Sequence, residues 1–374
     1  MGKRYGKLAC FIMAISLIAG CSKEVEVAER KDVCETEEEC TRIGDKMIQK
    51  VHKKMKSLSQ LEEPEGNVEG PEESTEGNSA KADSIEEAEK KKNDVENYFF
   101  LASYYINDED IIDPYFEKLD KKRLNKVFAD DQEAKKEIIK QHEDIDYHKT
   151  LWDIYRTLMP SKYRKNITEF DIVTDGYDGI VAHVTPNMDS PKDWVLSLDT
   201  LDSSVNIDEV IKTLIHETAH VLTLSDKQIP VDKKYLQAFE EERDISSYQN
   251  KCKTLFLQEG CAKADSYINQ FYDSFWKVIE QEWKEKQIET NEDAQIQFFE
   301  EKHDQFVSEY GTTNVAEDIA DTFTAFILQD SKKVKEGTEL KYKKIAFFYQ
   351  FPELVKMRAE VLSGLYEISK KVKE

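Results

Sequence analysis

Residues 206–224 read NIDEVIKTLIHETAHVLTL. Asn206 is a helix-capping residue, and Glu209 three positions later completes a capping-box pattern. Asp208 and Glu209 place negative charge at the positive end of the helix dipole. Ile207, Val210, Ile211, Leu214 and Ile215 recur at helical spacing and form a broad apolar side, which neither Gly nor Pro interrupts. Inside this segment stand His216, Glu217, Thr218, Ala219 and His220. Residues four apart on a helix lie one turn above each other, so both imidazoles can reach one tetrahedral ion. Glu217 lies beside the first imidazole and reaches a water on that ion. Zinc lowers the pKa of such a water to about 7, and a carboxylate can then take its proton.

The chain before this helix changes period. Residues 170–174, 180–185 and 194–198 read as strands, with a turn at Asp175-Gly176-Tyr177-Asp178-Gly179 between the first two. Earlier still, residues 98–106, 114–127, 131–143 and 147–159 carry helical patterns, the last stopped by Pro160. After residue 206 nearly everything reads as helix. The expectation is an α+β fold: a small, mostly antiparallel sheet, then the metal-binding helix, then a largely helical C-terminal half.

A strand followed by HETAH on a buried helix resembles the zincin metallopeptidases. The resemblance implies a zinc cofactor, Glu217 as the catalytic base and an extended peptide or protein as substrate. In that superfamily the strand before the helix is a sheet edge that holds substrate backbone, a role that falls here to Trp194–Leu198. The third protein ligand has three candidates. Asp226 lies six residues past His220, where metzincins place theirs, but Thr223 stands where those enzymes need a Gly. Glu240, with Asp244 four residues on, matches thermolysin-like spacing but sits in a charged run. Glu317 lies in YGTTNVAEDIADTF, residues 310–323, at the start of a helix whose Ile319, Ala320, Phe323, Phe326 and Ile327 are apolar. A carboxylate buried on such a helix needs a partner. Asp321, one turn on, suits the free N–H of a ligand histidine. Glu317 can also serve simply as the capping-box partner of Asn314. This stretch resembles gluzincin-type domains of bacterial lipoproteins, over roughly residues 165–360, and makes Glu317 the favoured ligand. Tyr310 is a candidate oxyanion donor, with His303 and Tyr349 behind it. His183 reads as structural, Glu259 as part of a bend, and the aromatic residues of 267–276 as helix core.

The N-terminus reads as a targeting signal. Lys3, Arg4 and Lys7 precede an apolar run from Leu8 to Ala19 that is short for a membrane span. Ile18-Ala19-Gly20-Cys21 resembles the lipobox of bacterial lipoproteins, which implies cleavage after residue 20, lipidation of Cys21 and a place in the cell envelope outside the cytoplasm. Residues 22–95 read as a charged, largely disordered tether, and 96–374 as the zincin-like domain. Within the tether, Ile43, Met47, Val51, Met55 and Leu58 form a weak helical stripe. Residues 61–90, rich in Glu, Pro, Gly and Ser, read as a spacer that holds the domain off the membrane. Export permits disulfides among Cys34, Cys40, Cys252 and Cys261; three connectivities are open, and loop-closure entropy favours the local pairs. The 374 residues carry a formal charge of -23, and no basic stripe offsets it, which excludes nucleic acid as a partner. Two other functions fit the same residues: a zincin-fold binding or scaffold lipoprotein that no longer cleaves, and a zinc hydrolase of a non-peptide cell-wall amide.

Overall fold

The computed structural model describes residues 33–61, 97–107, 109–187 and 189–372. The expected signal segment 1–20, Cys21 and residues 62–96 lie outside the described residues. Helices of seven or more residues are α1 Glu37–His52, α2 Lys121–Val127, α3 Gln132–Gln141, α4 Ile145–Leu158, α5 Ile207–Leu224, α6 Lys233–Glu240, α7 Glu292–Lys302, α8 Val315–Leu328, α9 Leu340–Phe347 and α10 Pro352–Lys371. One five-stranded sheet consists of β1 Phe99–Asn107, β2 Asp110–Phe116, β3 Ile167–Thr174, β4 Ala182–Pro186 and β5 Trp194–Asp199. Its order is β2-β1-β3-β5-β4. Only β3 and β5 run parallel; the other three neighbouring pairs are antiparallel. The α+β class, the small mixed sheet and the helical C-terminal half are therefore as the hydrophobic periods indicate.

The helical patterns at 98–106 and at the start of 114–127 are corrected to strands. Phe99-Phe100-Leu101-Ala102-Ser103-Tyr104-Tyr105-Ile106 is too short and too continuously apolar for period alone to separate strand from helix. Pairing with a distant segment decides it: Phe100 lies opposite Val173, and Ala102 opposite Ile172. Aromatic and β-branched side chains then fit a pleated, half-buried surface.

A second correction concerns the sheet edge. β5 does not lie at the edge, since β3 pairs with one side and β4 with the other. The edge beside α5 is β4. Asn187 closes the β4–β5 hairpin: its side-chain oxygen accepts from the amides of Asp189 and Ser190, and its own amide donates to Asp193 O at 2.8 Å. Residues 181 and 187 bond inward to the β5 strand and its approach, so the intervening amides of Ala182 and Val184 face the other way.

A third correction concerns the tether. Residues 33–61 belong to the folded body. Thr36 caps α1 by accepting from the Glu39 amide, and a Cys34–Cys40 disulfide ties its first turn. A Cβ on Gly44 would lie 2.7 Å from Arg358 Nη1, so the missing side chain lets α1 rest closely on α10. Arg358 Nη2 donates to Asp45 Oδ1 at 3.0 Å and to Gln329 O at 2.6 Å, which bridges the two helices. Ile48 and Val51 on α1, and Met55 and Leu58 just beyond it, are buried in the main core. The stripe read in the sequence is real, and of its two possible supports, a separate partner or the main domain, it packs on the domain.

Around the sheet, α4 packs through Trp152, whose ring lies 5.4 Å from that of Phe170 on β3. The Tyr155 hydroxyl of α4 meets Thr218 Oγ1 on α5 at 3.2 Å. α5 thus lies between β4 on one side and α8 on another, with 14 of its residues buried. Replacing Ile48 by Ala should cost about 2–5 kcal/mol in equilibrium denaturation, the range for truncating a fully buried branched side chain. A solvated tether helix would lose almost nothing.

Candidate metal centre

α5 begins as its sequence dictates, with the Asn206 side chain accepting from the Asp208 amide. It carries His216, Glu217 and His220 into the interior, at 3%, 1% and 1% exposure. α8 begins the same way: Asn314 Oδ1 accepts from the amides of Ala316 and Glu317. Glu317 does not fold back to complete a capping box. Its carboxylate points across to α5.

Three donor atoms converge there. His216 Nε2 lies 3.0 Å from Glu317 Oε2 and 3.0 Å from His220 Nε2, and His220 Nε2 lies 3.2 Å from Glu317 Oε2. Ligand atoms about 2.0–2.1 Å from one tetrahedral ion lie roughly 3.3 Å from each other. The triangle is therefore close to the size a small divalent cation requires. His216 Nδ1 lies 2.7 Å from Asp321 Oδ1. An ionised carboxylate can only accept, so Nδ1–H donates to it, and Nε2 is left with its lone pair facing inward. Asp321 is held in turn by the Ser308 hydroxyl, which also accepts from the Gly311 amide at 2.9 Å. His220 has no such brace: its buried Nδ1 has no hydrogen-bond partner among the described residues.

Two imidazole lone pairs and a carboxylate repel one another unless positive charge lies between them. The titration of the groups shows the same demand. Burial works against charge on His216, yet hydrogen bonding and attraction from Asp321 and Glu317 raise its pKa well above the usual value. Burial also works against ionised Glu317, yet His220 and His216 pull its pKa down to about 2. A bound divalent cation meets this demand through its own charge, with both imidazoles neutral.

Glu217 is not one of the three converging donors, although a carboxylate oxygen of it lies within 4.8 Å of a ring nitrogen of each histidine, and its Oε2 meets the sheet edge. The outward amide of Val184 on β4 donates to Glu217 Oε2 at 2.9 Å. This contact was not legible in the sequence, because it depends on which strand lies at the edge. Beneath Glu317, Asp318 is fully buried and accepts from Lys344 Nζ and Trp276 Nε1, both at 2.6 Å. Burial raises the pKa of Asp318 and lowers that of Lys344, each against the attraction of the other. Lys344 also lies 3.8 Å from the Phe306 ring centroid. Removing one partner of such a pair typically costs about 3–5 kcal/mol. The network fixes α8 next to Glu317. An acid beside Glu317 in an apolar helix was its only trace in the sequence.

The other candidates lie elsewhere. Asp226 Oδ2 faces Lys192 Nζ at 3.5 Å. Glu240 is exposed at the end of α6, and Asp244 caps a neighbouring turn through Ser246. Asp226, Glu240 and Glu259 line a separate cavity of about 100 Å³ with Trp194, Leu224 and Phe239. None of them is the third member of the triangle. Tyr310 lies beside His216, with ring centroids 6.0 Å apart, and shares a cavity of about 130 Å³ with His216 and Asp321. His303 is exposed and bonds back to Glu300 O, while Tyr349 packs on Phe326 in the core. His183 is buried on β4 beside Tyr98. Trp276 and Phe271 are core residues, as their pattern indicates. Disulfides join Cys34 to Cys40 and Cys252 to Cys261, the local connectivity.

No family model, curated protein or solved structure matches the chain. The chemistry of these side chains therefore carries the functional reading. Asp321→Asn should lower zinc affinity by about 10–100-fold, the usual effect of removing a partner of a metal-binding histidine. Glu317→Gln should lower it further, and Glu240→Gln should leave it unchanged. Competition against a chromogenic chelator reads all three; equal affinities for wild type and Glu317→Gln would exclude this ligand set.

Proposed function

We propose that the chain is a zinc-dependent metallopeptidase of gluzincin type, anchored through lipid on Cys21 outside the cytoplasm. One observation carries the reading. His216, His220 and Glu317 converge within 3.2 Å of one another, and an acid with no part in that triangle stands next in sequence to the first histidine. Two His and one Glu form a donor set used for catalytic zinc, with a position left for water or substrate. A zinc ion held there supplies a Lewis acid that polarises a carbonyl and brings a water's pKa near 7.

The chain's own groups do the rest. Glu217 takes a proton from the attacking water and passes it to the leaving amine, a role worth about 10²–10⁴-fold in rate. The Val184 amide orients it. Asp321 keeps the His216 proton on Nδ1 and so keeps Nε2 free to bind metal. Tyr310 is the nearest candidate to steady the oxyanion. An extended peptide would lie along the outward side of β4 beside Glu217, where the Val184 amide is itself held by the Glu217 carboxylate. The cavity lined by Trp194, Leu224 and Phe239 on its apolar side, and by Asp226, Glu240 and Glu259, lies where β4 ends and α5 runs past His220, and it could take a side chain of such a peptide. A purely binding or scaffold role would leave Glu217 only its structural bond to the Val184 amide.

Two disulfides support a place in an oxidising compartment. No described helix is long and apolar enough to cross a membrane. Glu217→Gln should keep one zinc per chain by metal analysis and lose at least about 10²-fold in cleavage of a quenched peptide library. Wild-type turnover in that variant, or cleavage that persists after chelation of the metal, would exclude this mechanism.

A further inference from the structure

A second cluster of acids lies at the other end of the strands that lead to α5. β3 and β5 are parallel, so Asp175 just past β3 and Asp199 at the end of β5 emerge side by side. Asp202 follows in the short turn before α5. One carboxylate oxygen from each of the three lies within 4.8 Å of the others. Asp175 and Asp199 are only 3% and 1% exposed.

The structure assigns this cluster as a calcium site that pins the loop leading into β4. Three features point to it. Oxygens about 2.3–2.6 Å from one calcium ion lie at most roughly 5 Å apart, so the observed spread fits that ion and is wide for tetrahedral zinc. The donors are all oxygen, the chemistry of a hard cation, with no imidazole or thiolate among them. Most tellingly, no donor among the described residues reaches the buried Asp175 Oδ1, and although the amides of Asp178 and Ile180 bond to the Asp175 carboxyl, its side-chain partner is another acid, Asp202, so the two need a cation or a proton between them. The remaining oxygens are fixed by backbone: Asp199 accepts from the amides of Asp175, Leu201 and Asp202, and Asp202 from that of Gly179. The charges acting most strongly on each acid are the neighbouring acids. Asp175 responds to Asp202 and Asp178, Asp199 to Asp202 and Asp175, and Asp202 to Asp178. Outside the cytoplasm, where calcium reaches millimolar levels, an affinity of about 10⁻⁴ M is enough to fill such a site.

The occupant that competes with calcium is the proton. Burial first, then the neighbouring carboxylates, pushes Asp175 up to about 7; burial likewise pushes Asp202 up to about 6. A carboxyl whose folded pKa is raised loses its stability contribution as pH rises from the ordinary carboxylate range through the folded value, so without a cation the fold should weaken between about pH 4 and 7.

The test uses the full zinc-loaded chain at pH 8. Calcium chloride at about 5 mM should raise Tm by roughly 5 °C, the shift that 50-fold saturation implies for a domain of this size. Asp175→Asn combined with Asp202→Asn should abolish the shift, and in calcium-free buffer the double variant should melt no lower than wild type. Calorimetric titration of wild type with calcium, read beside it, should give one site. An equal calcium shift in the double variant overturns the assignment, since the ion then binds elsewhere. A calcium-insensitive Tm that climbs as pH falls from 8 to 5.5 also overturns it, because protons alone then serve the cluster. Neither readout depends on peptide cleavage, so failure of the metallopeptidase reading would leave the result intact.

Discussion

Two imidazole nitrogens and a carboxylate, held about 3 Å apart in a water-poor interior, need positive charge among them, which a proton on His216 or a bound divalent cation would supply. The surrounding fold exists to hold it together. α5 is buried on most of its surface and cannot rotate its histidines away. α8 is fixed at its start by Asn314 and next to Glu317 by the Asp318–Lys344 pair. Asp321 spans the gap to His216. Each brace costs desolvation, which a surface site would avoid. In return the donor atoms keep their spacing without rearranging when the ion arrives.

How much of this was legible depended on whether the cause was local. The metal helix was legible because its cap, its dipole charges and its period all lie within nineteen residues. Glu317 was legible for a chemical reason: an acid on a helix as apolar as 315–328 must have a partner. What failed was non-local. β1 was read as helix because its pairing with β3 reaches across some seventy residues. Trp194–Leu198 was taken as the edge because nothing in that segment tells whether the preceding hairpin strand covers its outer side. The Asp318–Lys344 pair shows the same limit, since two charges 26 residues apart look like ordinary surface residues until packing buries both.

The N-terminal helix changes how the protein would stand on a membrane. Residues 33–61 and the chain from 97 onward belong to one core, so the acidic segment 62–96 has both ends on the same body. It cannot act as a spacer between anchor and domain. Only the eleven residues between Cys21 and Val33 would remain for that purpose, a reach of at most about 40 Å when fully extended. An anchored domain would stay close to the bilayer, and α10, against which α1 rests, would be on the side near the attachment point.

The last link runs from the sheet to the chemistry. Glu217 is placed by its helix only to within the freedom of its side chain; the Val184 amide fixes where the carboxylate lies. That amide is outward-facing only because Val184 has the right parity in β4. The parity is fixed by the Asn187 turn at one end of the strand and by the 175–181 loop at the other, since a slip of one residue would turn the amide toward β5. The loop is tied in turn to Asp199 and Asp202, immediately before α5. Helix start, loop and edge strand thus form a closed circuit around the general base. A change in the Asp cluster would reach Glu217 through the register of β4 rather than through any direct contact, so a side chain far from the histidines could move the Glu217 carboxylate while leaving the His216–His220–Glu317 triangle untouched.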